Sequence, residues 1–142
     1  MKSGLAAGFI AGIITGLLST IFLVVGRYMG LYGILQPPKI TELLIFSLGW
    51  IIITIITTIA FGFIYEKFYD SIPGKGIMRG LYFGLLIWCI KDVIAGTYCI
   101  YSGIMISGLI EWVAAGINLI VIGIYMWTIY GLILGYLYKP PK

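Results

Sequence analysis

Apolar residues fall in four long runs, separated by short stretches that hold the prolines and most of the charges. A bilayer core about 30 Å thick is crossed by about 20 residues of helix, and each run reaches that length. The runs therefore predict four transmembrane helices, at residues 4–26, 41–65, 77–100 and 109–138. Helix is the expected form because each backbone polar group in lipid must find its partner within its own segment.

The connections between the runs are too short to hold a further domain, so we predict an all-α polytopic membrane protein. Its single domain, residues 1–142, is one four-helix bundle. The first run has about 22 apolar residues, which exceeds the core of a cleaved signal peptide, and we expect it to be retained.

The amino-acid composition excludes several classes of function. Of the 142 residues, 61% are hydrophobic and only 10% are charged, whereas a soluble domain is about one-quarter charged. A soluble enzyme and a nucleic-acid-binding protein are excluded, since the latter needs clustered Lys and Arg. The chain has no histidine, and its two cysteines match no metal or redox motif. We expect no cofactor, no metal and no enzyme activity.

Positive charge predicts the orientation of the chain. With four spans, both termini and the second connection share one side of the membrane. That side carries six of the lysines and arginines, and the opposite side carries only Arg27 and Lys39. The positive-inside rule then predicts a multi-pass protein of the cell membrane with both termini in the cytoplasm.

Glycines recur every fourth residue in the first and third runs. They are Gly4, Gly8, Gly12 and Gly16, and then Gly76, Gly80 and Gly84. Residues four apart share a helix face, and small residues let helix backbones approach closely in lipid. Each set therefore predicts a packing face, for a helix either of the same chain or of another subunit.

The two glycine sets align at an offset of 72 residues, and Gly62 and Tyr65 align with Gly135 and Tyr138 at an offset of 73. This pattern indicates two tandem hairpins related as a parallel repeat. An inverted repeat is excluded, because a two-helix unit returns the chain to its starting side.

Three stretches resemble a known group of proteins: GFIAG (8–12), LVVGRYMGL (23–31) and YEKFYDSIPGKGIMRGLYFGLLIW (65–88). They are similar to uncharacterised small four-helix integral membrane proteins of bacteria and archaea, grouped as domains of unknown function. The resemblance implies a four-helix membrane fold. It implies no activity and transfers no functional residues.

Lys91 and Asp92 interrupt the third run about 21 Å from its start, counted as helical rise. A charge at that depth costs about 2.5–3.5 kcal/mol or more, so both side chains should face protein or water. Counting residues along the other three helices places further polar side chains at the same level. The predicted polar layer consists of Ser19, Thr20, Thr54, Lys91, Asp92 and Asn118.

The layer has a structural and a functional interpretation. Adjacent residues of an α-helix point about 100° apart, so Lys91 and Asp92 need not bond to each other. Asp92 is either neutral, or bonded to Asn118 as a link between helices, or part of an ion, proton or solute site. Lys91 either extends to the nearer membrane surface or takes part in that site.

Two functions agree with these features. The first is a non-enzymatic structural or accessory subunit, which packs through its glycine faces into a homo-oligomer or a larger membrane complex. The second is an oligomeric channel or transporter for an ion or small solute, which uses the polar layer. In both cases the lipid bilayer is an expected partner and nucleic acid is not.

Overall fold

The computed structural model describes residues 3–28, 40–107 and 110–140, and within them the chain is helical without strands. Helix α1 spans Gly4–Tyr28, α2 spans Ile40–Phe68, and a short 3-10 turn follows at Tyr69–Ser71. The third span contains α3 (Ile77–Ile87) and α4 (Ile94–Ser102). The fourth is α5 (Ile110–Leu137). Four helices are long and apolar enough to cross a membrane, which confirms the predicted fold class.

The third span is longer than predicted and is not a regular α-helix. A π-helical segment, Trp88–Val93, joins α3 to α4, and a second one, Gly103–Ser107, follows α4. The helix thus continues beyond residue 100, the end that the apolar run predicted. A π-helix bonds residue i to i+5 and therefore fits more residues into one turn than an α-helix does.

The first π-helical segment keeps one side of the third span against α5. Gly80 and Gly96 both face α5, although they are 16 residues apart. In an uninterrupted α-helix, four steps of four residues would rotate Gly96 by about 160° from Gly80, to the opposite side. The wider turn takes up the excess rotation, so that both glycines contact the same helix.

The glycines of α1 lie against α2 of the same chain. A side-chain carbon at Gly8 or Gly12 would overlap Thr58, and one at Gly4 would overlap the backbone of Gly62. Gly16 faces the methyl group of Thr54 at ordinary contact distance. The glycine face of the first span is therefore occupied within the chain.

The glycines of the third span divide into two kinds. Gly80 and Gly84 lie against the backbone of Gly131 in α5, so they pack within the chain as well. Gly76 does not belong to this face, and its prediction as a packing residue was wrong. It precedes α3 in the connecting turn, has φ +52°, and has open space where a side chain would begin.

The contacts of the two hairpins correspond residue by residue. Gly8 faces Thr58 and Gly62, whereas Gly80 faces Gly131 and Gly135. These pairs are related by the offsets of 72 and 73 found in the sequence. The equivalent pairs agree with two tandem hairpins that pack in the same way.

Aromatic side chains join the two hairpins in the proximal half of the bundle, the half that contains the start of α1 and the 69–76 turn. The rings of Tyr65 and Tyr138 meet edge to face with centroids 5.6 Å apart, and Phe61 meets Trp127 at 5.4 Å. Tyr65 is fully buried. This aromatic core fills the proximal half, whereas the distal half contains a cavity.

Candidate functional site

A cavity of about 280 Å³ lies in the distal half of the bundle, between the two hairpins. Side chains from all four spans form its walls. Most of them are apolar, among them Ile53, Leu119, Ile122 and Met126. Ligand cavities are commonly of this kind, with apolar walls and a few polar groups that fix the orientation of the ligand.

Five of the six residues of the predicted polar layer line this one cavity. They are Ser19, Thr54, Lys91, Asp92 and Asn118. Thr20 is not among the lining residues, and its hydroxyl donates a 2.8 Å hydrogen bond to the carbonyl oxygen of Gly16 in its own helix. Counting residues gave the depth of Thr20, but its position around the helix axis directs it elsewhere.

Lys91 and Asp92 form an ion pair, which their adjacency in the sequence did not require. The Lys91 ammonium donates to Asp92 Oδ1 at 2.7 Å. Both residues belong to the π-helical segment, where the larger number of residues per turn brings neighbouring side chains closer in direction. The expected separation of about 100° applied to an α-helix, which this part of the chain does not form.

The Asp92 carboxylate is buried against α5. Its side chain is only 5% exposed, and its second oxygen, Oδ2, accepts a 2.6 Å hydrogen bond from the Trp127 indole. A side-chain carbon at Gly123 would overlap this carboxylate, so the glycine provides the space in which it lies. The link between the helices is thus made with Trp127, rather than with Asn118 as the structural interpretation expected.

Lys91 occupies a different environment from its partner. Its side chain is 47% exposed, and its ammonium lies 5.3 Å from the centre of the Trp127 ring. A cation over an indole face is attracted by the ring quadrupole. Lys91 is therefore held by Asp92 and Trp127 at the cavity wall.

The hydroxyl groups of the cavity donate to the backbone of their own helices. Thr15 donates to the carbonyl oxygen of Ala11 and Ser19 to that of Gly16, at 2.7 and 2.9 Å. Thr57 and Thr58 bond in the same way within α2. The Ser19 oxygen also accepts from the Trp50 indole at 2.9 Å. These bonds use the hydroxyl protons and leave oxygen lone pairs toward the cavity.

Sequence reasoning missed Trp127 and Gly123 as parts of the site. An indole N–H within lipid needs an acceptor, and Asp92 is a carboxylate inside a neighbouring span, so the pairing had a signal in the sequence. Gly123 lies where α5 receives the Asp92 carboxylate.

A metal centre finds no support in the described part of the chain, where no three His, Cys, Asp or Glu side chains lie close enough to bind one ion. Comparison of the chain with protein-family models, with curated proteins and with solved structures found no match. The resemblance to uncharacterised four-helix membrane proteins therefore stays a prediction.

Proposed function

We propose that this membrane protein binds a small solute in its distal cavity and acts as a carrier or as part of a transporter. The observation that carries the proposal is the Lys91–Asp92 ion pair at the cavity wall. It belongs to a helix long and apolar enough to cross a membrane, where charge is costly and is commonly associated with transport pathways. A purely structural link would be expected to close the space around the pair with apolar side chains.

A carrier agrees better with the geometry than an open channel does. Phe61, Tyr130 and Trp127 lie between the cavity and the proximal end of the bundle, where their rings pack edge to face. These rings close the proximal side of the cavity in this conformation. With both termini in the cytoplasm, as proposed from the positive charges, the cavity would lie in the outer half of the membrane.

The proposal is tested by thiol labelling in proteoliposomes. Cys89 and Cys99 are first replaced by alanine, and Ala115→Cys then places one thiol on the cavity wall. The reagents are two membrane-impermeant methanethiosulfonates, one bearing a sulfonate and the other a trimethylammonium group. Each is itself a small solute, so its reaction at position 115 measures solute entry.

Ala60→Cys is the matched control, because Ala60 is an exposed residue of α2 that does not line the cavity. We expect at least one reagent to modify the Ala115→Cys protein more than tenfold faster than the Ala60→Cys protein. Equal, slow modification of both thiols by both reagents would show that solutes do not reach the cavity.

The second candidate function is a structural or accessory subunit. The glycine faces of α1 and α3 are occupied within the chain, so a partner needs another surface. Helix α2 offers one: in its apolar span only 11% of residues are buried, against 28–39% in the other three spans. Native mass spectrometry of the protein extracted in mild detergent tests this role, and a protein that is monomeric and free of partners would contradict it.

A further inference from the structure

The positive member of the ion pair is the more exposed of the two. Both residues line the cavity, but the Lys91 side chain is 47% exposed and the Asp92 side chain only 5%. Each Asp92 oxygen also accepts a hydrogen bond already, one from Lys91 and one from Trp127. An entering solute therefore meets an ammonium group, with its counter-charge buried behind it.

The ammonium retains donor capacity. It has three N–H donors, and among the described residues its one hydrogen-bond acceptor is Asp92. An anionic or strongly accepting group could bind the remaining donors. A cation could approach the hydroxyl oxygens of the opposite wall, but it would be repelled by Lys91 across a medium of low dielectric constant.

The remaining walls set the size and polarity of the solute. A volume of about 280 Å³ is slightly below the usual range of ligand cavities, which begins at about 300 Å³. Ile53, Ile122 and Met126 contribute apolar surface to the same cavity. The cavity therefore suits a compact body with an apolar part and one polar end.

We infer that the cavity takes an anionic group on a small apolar body, such as a carboxylate or sulfonate, with the charge against the Lys91 ammonium. This inference rests on the proposed function, since it names the solute class of the same cavity. The anion can come from a free solute or from an anionic lipid, and the experiment separates the two.

The test compares the two charged reagents on the Ala115→Cys protein, reconstituted in phosphatidylcholine. Each rate is divided by the rate of the same reagent with 2-mercaptoethanol, which removes intrinsic differences in reactivity. We expect the sulfonate reagent to be favoured about tenfold over the trimethylammonium reagent, as a nearby positive charge predicts. Lys91→Gln should abolish the preference for the sulfonate reagent, because the positive charge is lost and the Asp92 carboxylate stays.

Two further variants control for a general effect on folding or surface charge. Lys91→Arg keeps the positive charge and should keep the preference for the anion. Lys75→Gln removes an exposed positive charge in the proximal turn and should leave the ratio unchanged. A ratio that does not respond to Lys91→Gln, or a preference of the unsubstituted Lys91 protein for the cationic reagent, would overturn the inference while leaving solute entry established.

The apolar body is tested by protection. Benzoate should slow labelling of the Ala115→Cys protein, whereas benzylammonium, which has the same ring and the opposite charge, should not. A second reconstitution contains phosphatidylglycerol, and protection that requires this lipid assigns the anionic group to a lipid. The absence of protection in both arms would overturn the inference, and failure of both reagents to react would overturn the proposed function as well.

Discussion

The Tyr130 hydroxyl donates a 2.8 Å hydrogen bond to the backbone carbonyl oxygen of Thr58, which ties α5 to α2 across 72 residues of sequence. Both side chains are fully buried. Tyr130→Phe removes only the hydroxyl, and we expect it to lower the free energy of unfolding by about 1 kcal/mol. Thermal unfolding in detergent measures the effect. Tyr136→Phe is the control, since Tyr136 is 68% exposed, and equal midpoints for the two variants would contradict a link between the hairpins.

The ion pair predicts unequal costs for its two members. Lys91→Met leaves a buried carboxylate without its cation and should cost about 3–5 kcal/mol. Asp92→Asn should cost about 1 kcal/mol, because the amide can still accept from Trp127 and the half-exposed Lys91 can reach water. The double variant should cost clearly less than the sum, with a coupling of about 2 kcal/mol.

Lys67→Met is the control for this cycle. The Lys67 ammonium also lies 5.3 Å from an aromatic ring, that of Phe63, but it is exposed at the end of α2. We expect this substitution to change stability by less than about 0.5 kcal/mol. Additive costs of Lys91→Met and Asp92→Asn in the detergent unfolding assay would rule out the ion pair.

We expect the hydrogen bond of the Trp127 indole to contribute more to stability than that of the Trp88 indole. Trp127 donates to a carboxylate, whereas Trp88 donates to the backbone carbonyl oxygen of Ile120 at 2.8 Å. Trp127→Phe should lower stability by about 1.5–3 kcal/mol and Trp88→Phe by about 0.5–1.5 kcal/mol, because hydrogen bonds to charged groups are stronger. A larger loss in the Trp88→Phe variant would contradict this assignment.

A methyl group at Gly123 should disturb the carboxylate that lies against it. Gly123→Ala is expected to lower stability by about 1–3 kcal/mol, since Asp92 must move in a closely packed region. Gly49→Ala is the matched control within a helix, because open space surrounds the position of the new carbon. The control should be neutral or stabilising by up to about 1 kcal/mol. Equal midpoints for both variants would show that Gly123 does not set the position of Asp92.

The close packing of the α1 glycines against α2 is tested by Gly12→Leu. A branched side chain at this position would overlap Thr58 and separate the two helices. We expect little monodisperse protein after size-exclusion chromatography of this variant. Gly49→Leu should give a yield close to that of the unchanged protein, because its side chain extends into open space. A normal yield of the Gly12→Leu variant would contradict the close packing of α1 against α2 at this position.

Much of this architecture is predictable because membrane helices have few options. Hydropathy and length identified all four spans, and counting residues from their ends gave the depth of the polar side chains. Ser19, Thr54 and Asn118 line the same cavity as the ion pair for this reason. In antiparallel helices of similar length, equal distances from the ends correspond to equal depth.

Direction around the helix axis was less predictable than depth. Thr20 has the predicted depth, but it is one residue beyond Ser19 and bonds to its own backbone. The bond between Lys91 and Asp92 escaped prediction because it depends on a π-helical segment, and no apolar pattern distinguishes that from an α-helix. Gly76 matched the spacing of its neighbours in the sequence but lies in a turn.

The π-helical segment also marks where the two hairpins differ in length. Before it, Gly12 corresponds to Gly84 at an offset of 72. Within it, Asp92 corresponds to Ser19 at an offset of 73. Their contact partners show the same offset, since Ser19 bonds Trp50 and Asp92 lies against Gly123. A one-residue insertion between residues 84 and 92 accounts for this step, since a π turn accommodates an extra residue without turning the rest of the helix away from its partner. In genetic terms, the change of offset corresponds to a single inserted codon, and the π-helical segment that accommodates it is the one in which Lys91 reaches Asp92.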